Sequence, residues 1–354
     1  MSFKIAVVRG DGIGKEVVEE GLKALRKVEE LSGVSFEFEE YPFGAEHYLK
    51  TGELLPDWAI EEFRKTDAIY FGAVGDPRVK PGVLEHGILL KMRFDLDLYV
   101  NLRPVKLYHP GLTPLKGKER IDMVFVRENT EGLYVGSGGF LRKGTRQEVA
   151  VQEMVNTRFG VERAVRFAFD YALKTGRKRV TLVDKANVLT YAHDLWERVF
   201  AEVAREYPNI ETDHYYVDAM AMKMVRSPEI FDVVVTPNMF GDILTDLGAE
   251  IVGGLGLAAS GNINPEGTGM FEPVHGSAPD IAGKGIANPL AAILTASLML
   301  EHLGLDGESK LVEKAVERVI TEGKLTPDMG GSLSTSQVGD EVVKALGVLW
   351  DEEG

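Results

Sequence analysis

Short apolar strands alternate with amphipathic helical segments along the first hundred residues of the chain. Residues 3–8, 34–40 and 67–73 are rich in β-branched and aromatic side chains and are predicted strands, whereas apolar residues repeat at helical spacing from residue 17 and over residues 58–65. Strands separated by helices favour a parallel sheet, because parallel neighbours need a crossover connection. The sequence therefore predicts an α/β fold with a mostly parallel central sheet.

A different pattern interrupts this alternation between residues 98 and 155, where short strands dominate. The strands predicted there are residues 98–102, 121–126, 132–135 and 148–154. The elements predicted further along are helices 161–173, 189–205 and 289–303 and strand 179–183. We predict one α/β domain built from both chain ends, residues 1–99 and 252–354, and an inserted α+β domain of residues 100–251.

Composition excludes several classes of protein. The 354 residues include no cysteine, which excludes disulfides, thiolate metal sites and a cysteine nucleophile. The net charge of −15 argues against nucleic acid or an anionic membrane as a partner, so an anionic substrate needs a local cluster of arginines. Because no charged-then-apolar leader and no apolar run long enough to cross a bilayer is evident, we expect a cytoplasmic protein.

A predicted helix after the strand at residues 231–236 carries three acidic residues at intervals of four. Asp242, Asp246 and Glu250 therefore share one face, where their carboxylates repel unless a cation neutralises them. Such oxygen ligands suit a hard divalent cation, Mg²⁺ or Mn²⁺. The alternative is that Asp242 complements the helix dipole and the others are solvated. Four apolar residues are predicted to form the other, buried face: Ile243, Leu244, Leu247 and Ile251.

Three arginines lie where a cation needs an acidic partner. Arg103 and Arg127 lie at the ends of predicted strands, and Arg93 lies on a predicted helix beside Leu89 and Leu90. A guanidinium at the end of a buried strand is unfavourable unless a carboxylate or phosphate meets it. Together the three suit a dicarboxylate, whose oxygens they would grip bidentately. The alternative for each is a structural ion pair.

Further candidates stand at other strand ends. Lys185 follows the strand at residues 179–183, a position that suits a general base, although a lysine on a surface loop fits it equally. Asp218 follows another strand and is a possible third metal ligand. Tyr134, taken alone, indicates packing.

Two glycine-containing loops are candidates for a nucleotide site. The turn at residues 10–14, Gly-Asp-Gly-Ile-Gly, could cradle phosphate or be a tight turn without a ligand, and its spacing differs from the dinucleotide fingerprint. Residues 272–283 form a polar loop in which His275 could contact an adenine and Asp280 could accept hydrogen bonds from ribose hydroxyls. A carboxylate there repels a 2′-phosphate, which favours NAD over NADP.

Seven motifs together resemble the metal-dependent, β-decarboxylating 2-hydroxyacid dehydrogenases, which include isopropylmalate, isocitrate, homoisocitrate and tartrate/D-malate dehydrogenases. They cover the chain nearly end to end, at residues 10–14, 101–104, 127–134, 184–187, 218–219, 238–246 and 272–280. The resemblance implies a two-domain fold that is not a Rossmann fold, so the glycine turn is not the pyrophosphate site. It also implies a homodimer whose active sites are each shared between subunits.

The resemblance assigns the metal and the proton transfers. Asp242 and Asp246 would hold Mg²⁺ or Mn²⁺ together with the partner's Asp218. Lys185, also from the partner subunit, is similar to the base that removes the hydroxyl proton as the hydride leaves. Tyr134 resembles the acid that protonates the product after CO₂ is lost.

The same resemblance assigns the ligand contacts to the two domains. It implies that residues 100–251 form the substrate, metal and dimerisation domain, and that the substrate carboxylates are bound by Arg93, Arg103 and Arg127. It implies that the domain of both chain ends binds NAD through residues His275, Gly276, Ser277, Ala278, Pro279, Asp280 and Asn288, with Glu85 and Ile13.

The expected substrate depends on a pocket that the resemblance assigns to Leu89, Leu90 and Val188, which suits an isopropyl group. Residues 82–90 are similar to one branch of the isopropylmalate enzymes. This implies NAD-dependent oxidative decarboxylation of 3-isopropylmalate to 4-methyl-2-oxopentanoate and CO₂, in leucine biosynthesis. The alternatives are D-malate or tartrate, and isocitrate or homoisocitrate, whose extra carboxylate would be buried against leucines at a large cost.

Overall fold

The structure is a computed structural model that describes residues 1–353. Twelve strands occur in that range: β1 Ser2–Gly10, β2 Ser35–Tyr41, β3 Ala68–Ala73, β4 Val100–Lys106, β5 Asp122–Glu128, β6 Gly138–Leu141, β7 Val149–Gln152, β8 Arg179–Asp184, β9 Glu211–Tyr216, β10 Val233–Thr236, β11 Ala259–Ile263 and β12 Gly269–Pro273.

The α-helices of the described chain alternate with these strands. They are α1 Gly14–Ser32, α2 Ala45–Thr51, α3 Asp57–Phe63, α4 Lys91–Asp95, α5 Arg158–Thr175, α6 Ala192–Ala204, α7 Val217–Arg226, α8 Asn238–Ile251, α9 Leu290–His302, α10 Asp306–Thr321 and α11 Thr335–Glu353. A π-helical segment, Glu85–Leu90, leads directly into α4.

The terminal unit, so called because it contains both chain ends, comprises Met1–Leu98, Leu107–Glu119 and the described chain from Ala249. Its strands lie in the order β2-β1-β3-β12-β11, and only the β11–β12 pair is antiparallel. Helix α9 is almost wholly buried, which explains why its sequence is apolar on every side. Tyr70 of β3 donates a hydrogen bond to the carbonyl of Ala292 in α9 (2.7 Å), which joins helix to sheet.

The inserted unit comprises Tyr99–Lys106 and Arg120–Gly248. Its strands lie in the order β4-β5-β10-β8-β9, and every neighbouring pair except β4–β5 is parallel. Helix α5 packs on β5, β8 and β10, and α6 packs on β8. Strands β6 and β7 form a separate antiparallel hairpin in which every residue is exposed.

The predicted α/β class and the mostly parallel sheet are confirmed. Two local predictions are wrong, and one strand is missing from the predictions. Residues 132–135 are not a strand, because Gly132 has φ 75° and Leu133–Val135 form a 3₁₀ turn. Strand β6 was not predicted. On α8, Leu244 and Ile251 are buried as predicted, but Ile243 is 56 % exposed. Within residues 1–353, no helix combines the length and the apolar character that crossing a bilayer requires.

Candidate active site

Two arginines, a tyrosine and two carboxylates meet beside helix α8 of the inserted unit. Asp242 accepts a hydrogen bond from Arg127 Nη1 at Oδ1 (2.6 Å) and from the Tyr134 hydroxyl at Oδ2 (2.7 Å). Arg103 Nη1 lies 3.5 Å from Asp242 Oδ1 and 3.9 Å from Asp246 Oδ1. The four-residue spacing of the two acids therefore places both on the helix face that meets the guanidinium groups.

The register of β4 and β5 explains why the two arginines converge. Arg127 lies opposite Asn101, two residues from Arg103, so both guanidinium groups leave the same face of the antiparallel pair. Both side chains are buried. Arg127 Nε donates to Asn238 Oδ1 (3.0 Å) and Arg103 Nη1 donates to Thr245 Oγ1 (2.7 Å), which fixes each on α8.

The charges of this group are balanced within the chain. The ion pairs that were the alternative interpretation of Arg103 and Arg127 are present, and Asp242 is a partner of both. Burial raises the pKa of Asp246, and repulsion from Asp242 adds to it against the attraction of the arginines. The two carboxylate side chains are 42 % and 62 % exposed. An all-oxygen donor set that solvent reaches fits a Mg²⁺ or Mn²⁺ ion.

Lys185 and Asp218 form a second group in the inserted unit. Lys185 Nζ donates a hydrogen bond to Asp218 Oδ1, and this bond lowers the pKa of the Asp218 carboxyl. The Lys185 backbone N–H donates to His193 Nδ1 (2.8 Å), which anchors the loop after β8. Within one chain, and among residues 1–353, Asp218 does not gather with Asp242 and Asp246 into a three-carboxylate cluster.

Arg93 on α4 belongs to the terminal unit and is almost fully buried. Its Nη2 donates to Glu272 Oε1 (3.1 Å), which also accepts a hydrogen bond from Asn262 Nδ2 (2.9 Å). Glu272 has no role in the sequence-based prediction, although it begins the polar loop. Leu89 and Leu90 are half-buried at the end of the π-helical segment.

The loop after β12 carries the residues predicted to bind NAD. The Ser277 carbonyl accepts a hydrogen bond from the Ile13 N–H (2.8 Å), and Ala278 adopts a positive φ of 39°. Burial lowers the pKa of His275, whose Nε2 is buried and has no hydrogen-bond partner among the described residues. A neutral imidazole with an unsatisfied nitrogen fits a polar ligand such as an adenine. The outer part of the loop is exposed: Gly276, Pro279 and Asp280.

The remaining predicted residues occupy different surroundings. Asn288 is buried, and its Oδ1 accepts a hydrogen bond from Leu290 N–H at the start of α9 (3.0 Å) while its Nδ2 donates to Asp328 Oδ2 (3.1 Å). Glu85 is half-buried in the terminal unit. Val188 belongs to the inserted unit and is 64 % exposed.

Sequence reasoning missed Glu128, which is fully buried directly after Arg127. Its carboxylate accepts hydrogen bonds from the N–H and hydroxyl of Thr130 (2.7 and 2.8 Å) and from the Glu131 N–H (2.9 Å). Burial raises the pKa of Glu128 to about 7. These bonds fasten the turn that leads to Tyr134. The signal available in the sequence was an acidic residue at the end of an otherwise apolar strand.

The glycine turn at residues 10–14 supports the loop after β12. Gly12 has φ 54°, and a Cβ there would lie 1.9 Å from the Ser277 carbonyl oxygen. We expect Gly12→Ala to lower the free energy of unfolding by about 3 kcal/mol or more. The alanine must adopt a strained positive φ, and the backbone at Ser277 must also move to make room for its Cβ. Gly33→Ala is the control, since Gly33 has a similar φ of 72° with open space around it and should lose only about 1–2 kcal/mol. Equal losses in urea-unfolding experiments would contradict the close contact.

Comparison with known proteins identifies the family. The sequence profile described as isocitrate/isopropylmalate dehydrogenase matches residues 4–342. The 3-isopropylmalate dehydrogenase of Thermobifida fusca is 56 % identical over 349 residues, which cover 98 % of each chain. That of Rhodococcus opacus is 52 % identical over 346 residues, which cover 97 % of this chain and 100 % of the relative.

Solved structures are similar over nearly the whole chain. The crystal structure of an isocitrate dehydrogenase from Methylococcus capsulatus has a TM-score of 0.89 and 40 % identity, and the match covers 97 % of this chain and 99 % of that one. A β-decarboxylating dehydrogenase from Thermococcus kodakarensis has a TM-score of 0.83 and 39 % identity, with 99 % and 98 % covered. The chain is therefore an oxidoreductase that belongs to the isocitrate/isopropylmalate dehydrogenase family.

Proposed function

We propose that the protein is a 3-isopropylmalate dehydrogenase. It would oxidise and decarboxylate 3-isopropylmalate to 4-methyl-2-oxopentanoate and CO₂, a step of leucine biosynthesis, with NAD and Mg²⁺ or Mn²⁺. The observation that carries the proposal is the group of two buried arginines, Tyr134, Asp242 and Asp246 in a chain 52–56 % identical to relatives that bear this name.

The residues of the chain supply binding and proton transfer. Arg103 and Arg127 bind substrate carboxylate oxygens, as Arg93 does from α4. The Lys185 amine accepts the proton of the substrate hydroxyl group, and the carbon that carries this hydroxyl group loses a hydride to NAD. The resulting β-keto acid then loses CO₂. Tyr134, whose hydroxyl lies at Asp242, then donates a proton to the carbon that CO₂ has left.

The cofactors supply the chemistry that side chains lack: when bound, NAD accepts the hydride and the divalent cation stabilises negative charge on the substrate oxygens. Asp242 and Asp246 of one chain and the partner's Asp218 would hold the cation. Residues 275–280, with Asn288, Glu85 and Ile13, would hold NAD. The exposed Asp280 favours NAD over NADP, because its carboxylate repels a 2′-phosphate.

The proposed preference for an isopropyl group depends on Leu89, Leu90 and Val188. Transfer of three carbon groups from water to an apolar pocket stabilises a complex by about 2 kcal/mol. We therefore expect kcat/KM for 3-isopropylmalate to exceed that for D-malate by about 10- to 100-fold with NAD and Mg²⁺. D-tartrate and isocitrate should be poorer still, since their hydroxyl or carboxylate meets leucine.

Comparison of kcat/KM for these four substrates, with and without EDTA, tests the proposal. Excess EDTA should abolish the activity, and added Mg²⁺ should restore it. A preference for D-malate would assign the enzyme to the tartrate/D-malate branch and leave the mechanism in place. Activity that EDTA does not change would contradict the metal-dependent reaction itself.

We also propose that the enzyme is a homodimer whose active sites each combine residues of two chains. Exposed apolar side chains of the inserted unit support it: Phe140, Leu141, Val149 and Val151 on the hairpin, and Met222, Val225 and Ile243 on α7 and α8. A dimer interface that covers α8 would explain why Ile243 is exposed in one chain. Lys185 and Asp218, which contact each other, would enter the partner's site together.

A further inference from the structure

Three potential metal ligands converge from three neighbouring elements of the inserted unit. Asp184 ends β8, and His214 lies on the adjacent parallel strand β9 opposite Leu182, so both side chains leave the same face of the sheet. Glu197 lies on α6, which packs on β8. The three ligand atoms lie within 4.8 Å of one another.

The spacing of these atoms suits a single small cation. His214 Nε2 lies 2.9 Å from Asp184 Oδ1 and 3.5 Å from Glu197 Oε1. Ligand atoms bound to a tetrahedral Zn²⁺ at about 2.0–2.2 Å lie roughly 3.3–3.6 Å apart. The two separations from His214 Nε2 are therefore within about half an ångström of that range. The partial exposure of His214 and Glu197 leaves room for water as a further ligand.

The buried carboxylate provides an independent indication of a missing ligand. Asp184 is fully buried, and its Oδ1 accepts hydrogen bonds from His214 Nε2 and, at 3.3 Å, from the Ala186 N–H. Its Oδ2 is also buried but has no hydrogen-bond partner among residues 1–353. Buried carboxylate oxygens normally have a partner, so the Asp184 carboxylate retains an unused acceptor while its other oxygen faces His214.

The local charges also favour a divalent cation. Asp184 and Glu197 are the two acidic members of the group. The hydrogen bond with Asp184 raises the pKa of His214, so a divalent cation that binds Nε2 must displace the proton held there, and it then neutralises the two carboxylates. His193 is the other imidazole near Asp184. It is fully buried, which lowers its pKa, and its Nδ1 accepts a hydrogen bond from the Lys185 N–H, so it is neutral and does not compensate Asp184.

We propose that Asp184, Glu197 and His214 form a second cation site, for a divalent transition metal of the Zn²⁺ or Co²⁺ class. The imidazole nitrogen selects against Mg²⁺, which prefers an all-oxygen site such as the Asp242–Asp246 face of α8. The bound ion would stabilise the end of β8 immediately before Lys185. The site is independent of the substrate and of the proposed function.

Titration of the full-length protein with Co²⁺ tests the site, in excess Mg²⁺ so that the α8 carboxylates are occupied. We expect one Co²⁺ per chain with a visible d–d spectrum typical of mixed nitrogen and oxygen ligands. His214→Gln should lower the Co²⁺ affinity at least about tenfold and change the spectrum. Glu197→Gln, at a half-exposed helix position, should also weaken binding.

Asp242→Asn is the matched control, because it alters the other carboxylate group and should leave the Co²⁺ spectrum unchanged. Circular dichroism in EDTA confirms that each variant is folded. The proposal is overturned if no Co²⁺ binds in excess Mg²⁺, if both His214→Gln and Glu197→Gln bind it as tightly as the unchanged protein, or if Asp242→Asn removes the signal.

Discussion

Replacement of Lys185 by methionine should lower kcat by about 10²- to 10⁴-fold, the usual contribution of a positioned general base. Methionine is unbranched and only one atom shorter than lysine, and it removes the amine that would accept the hydroxyl proton. Lys185 lies at the end of β8, and its backbone is held by His193, so the loop should keep its place. Steady-state kinetics with 3-isopropylmalate, NAD and Mg²⁺ measure the effect.

Lys178→Met provides the matched control for this prediction. Lys178 immediately precedes β8, whereas Lys185 immediately follows it, so the same change is made at opposite ends of one strand. Lys178 is exposed, and its replacement should leave kcat within about twofold because a surface change has little effect on the site. A Lys185→Met enzyme that keeps a tenth or more of the activity would exclude Lys185 as the base.

The second large effect is expected for Asp242→Asn, which should lower kcat/KM by about 10³-fold at saturating Mg²⁺. Loss of a carboxylate ligand removes metal-based charge stabilisation worth several kcal/mol, and each 1.4 kcal/mol is a factor of ten. The asparagine side chain would keep one oxygen to accept from Arg127, while its amide NH₂ would face the Tyr134 hydroxyl in place of the second oxygen. Mg²⁺ dependence of the rate, measured with isothermal titration of the ion, checks both effects.

Glu250→Gln separates metal binding from the general charge of the helix. Glu250 lies two helical turns beyond Asp242 on α8 and is exposed, and its replacement removes one negative charge from the same helix. It should change kcat/KM by less than about threefold. If Glu250→Gln and Asp242→Asn lose activity equally, the effect belongs to the helix charge and Asp242 is not a ligand.

A mixture of the two inactive variants, refolded together, tests whether the active site is shared. If Lys185 and Asp242 act from different chains, random pairing makes half of the dimers mixed, and each mixed dimer has one site without either replacement. About a quarter of all sites, and so about a quarter of the activity of the unchanged enzyme, then returns. If both act within one chain, every site carries a replacement and the mixture stays inactive. The assay therefore reports the subunit arrangement directly.

The individual pieces of the site could be predicted from sequence, because they depend on local spacing. Residues four apart on α8 share a face whatever surrounds the helix, and a charged residue after an apolar run marks a strand end. The contact of Arg127 with Asp242 depends instead on which strands become neighbours. These residues are 115 positions apart, and only the β5–β10 pairing brings them together.

The local errors have equally specific causes. Residues 132–135 alternate like a strand, but positive φ angles at Gly132 and Gly136 close a 3₁₀ turn between them. Ile243 belongs to an apolar pattern that marks surfaces shielded from water, and such a pattern does not distinguish the chain's own core from a surface for another copy. Glu128 was missed because its partners are the hydroxyl of Thr130 and backbone groups of the turn, and an acidic residue that ends an apolar strand does not by itself indicate these contacts.

The terminal unit has a consequence for synthesis on the ribosome. Strand β3 ends at Ala73 and pairs with β12, which begins at Gly269, roughly 200 residues later in the chain. At elongation rates of about 5–20 residues per second, the nascent β1–β3 sheet waits roughly 10–40 s for β12, and longer for α9. During that interval the edge of β3 and the apolar side of α1 lack their partners, so this nascent segment is where we expect ribosome-associated chaperones to bind.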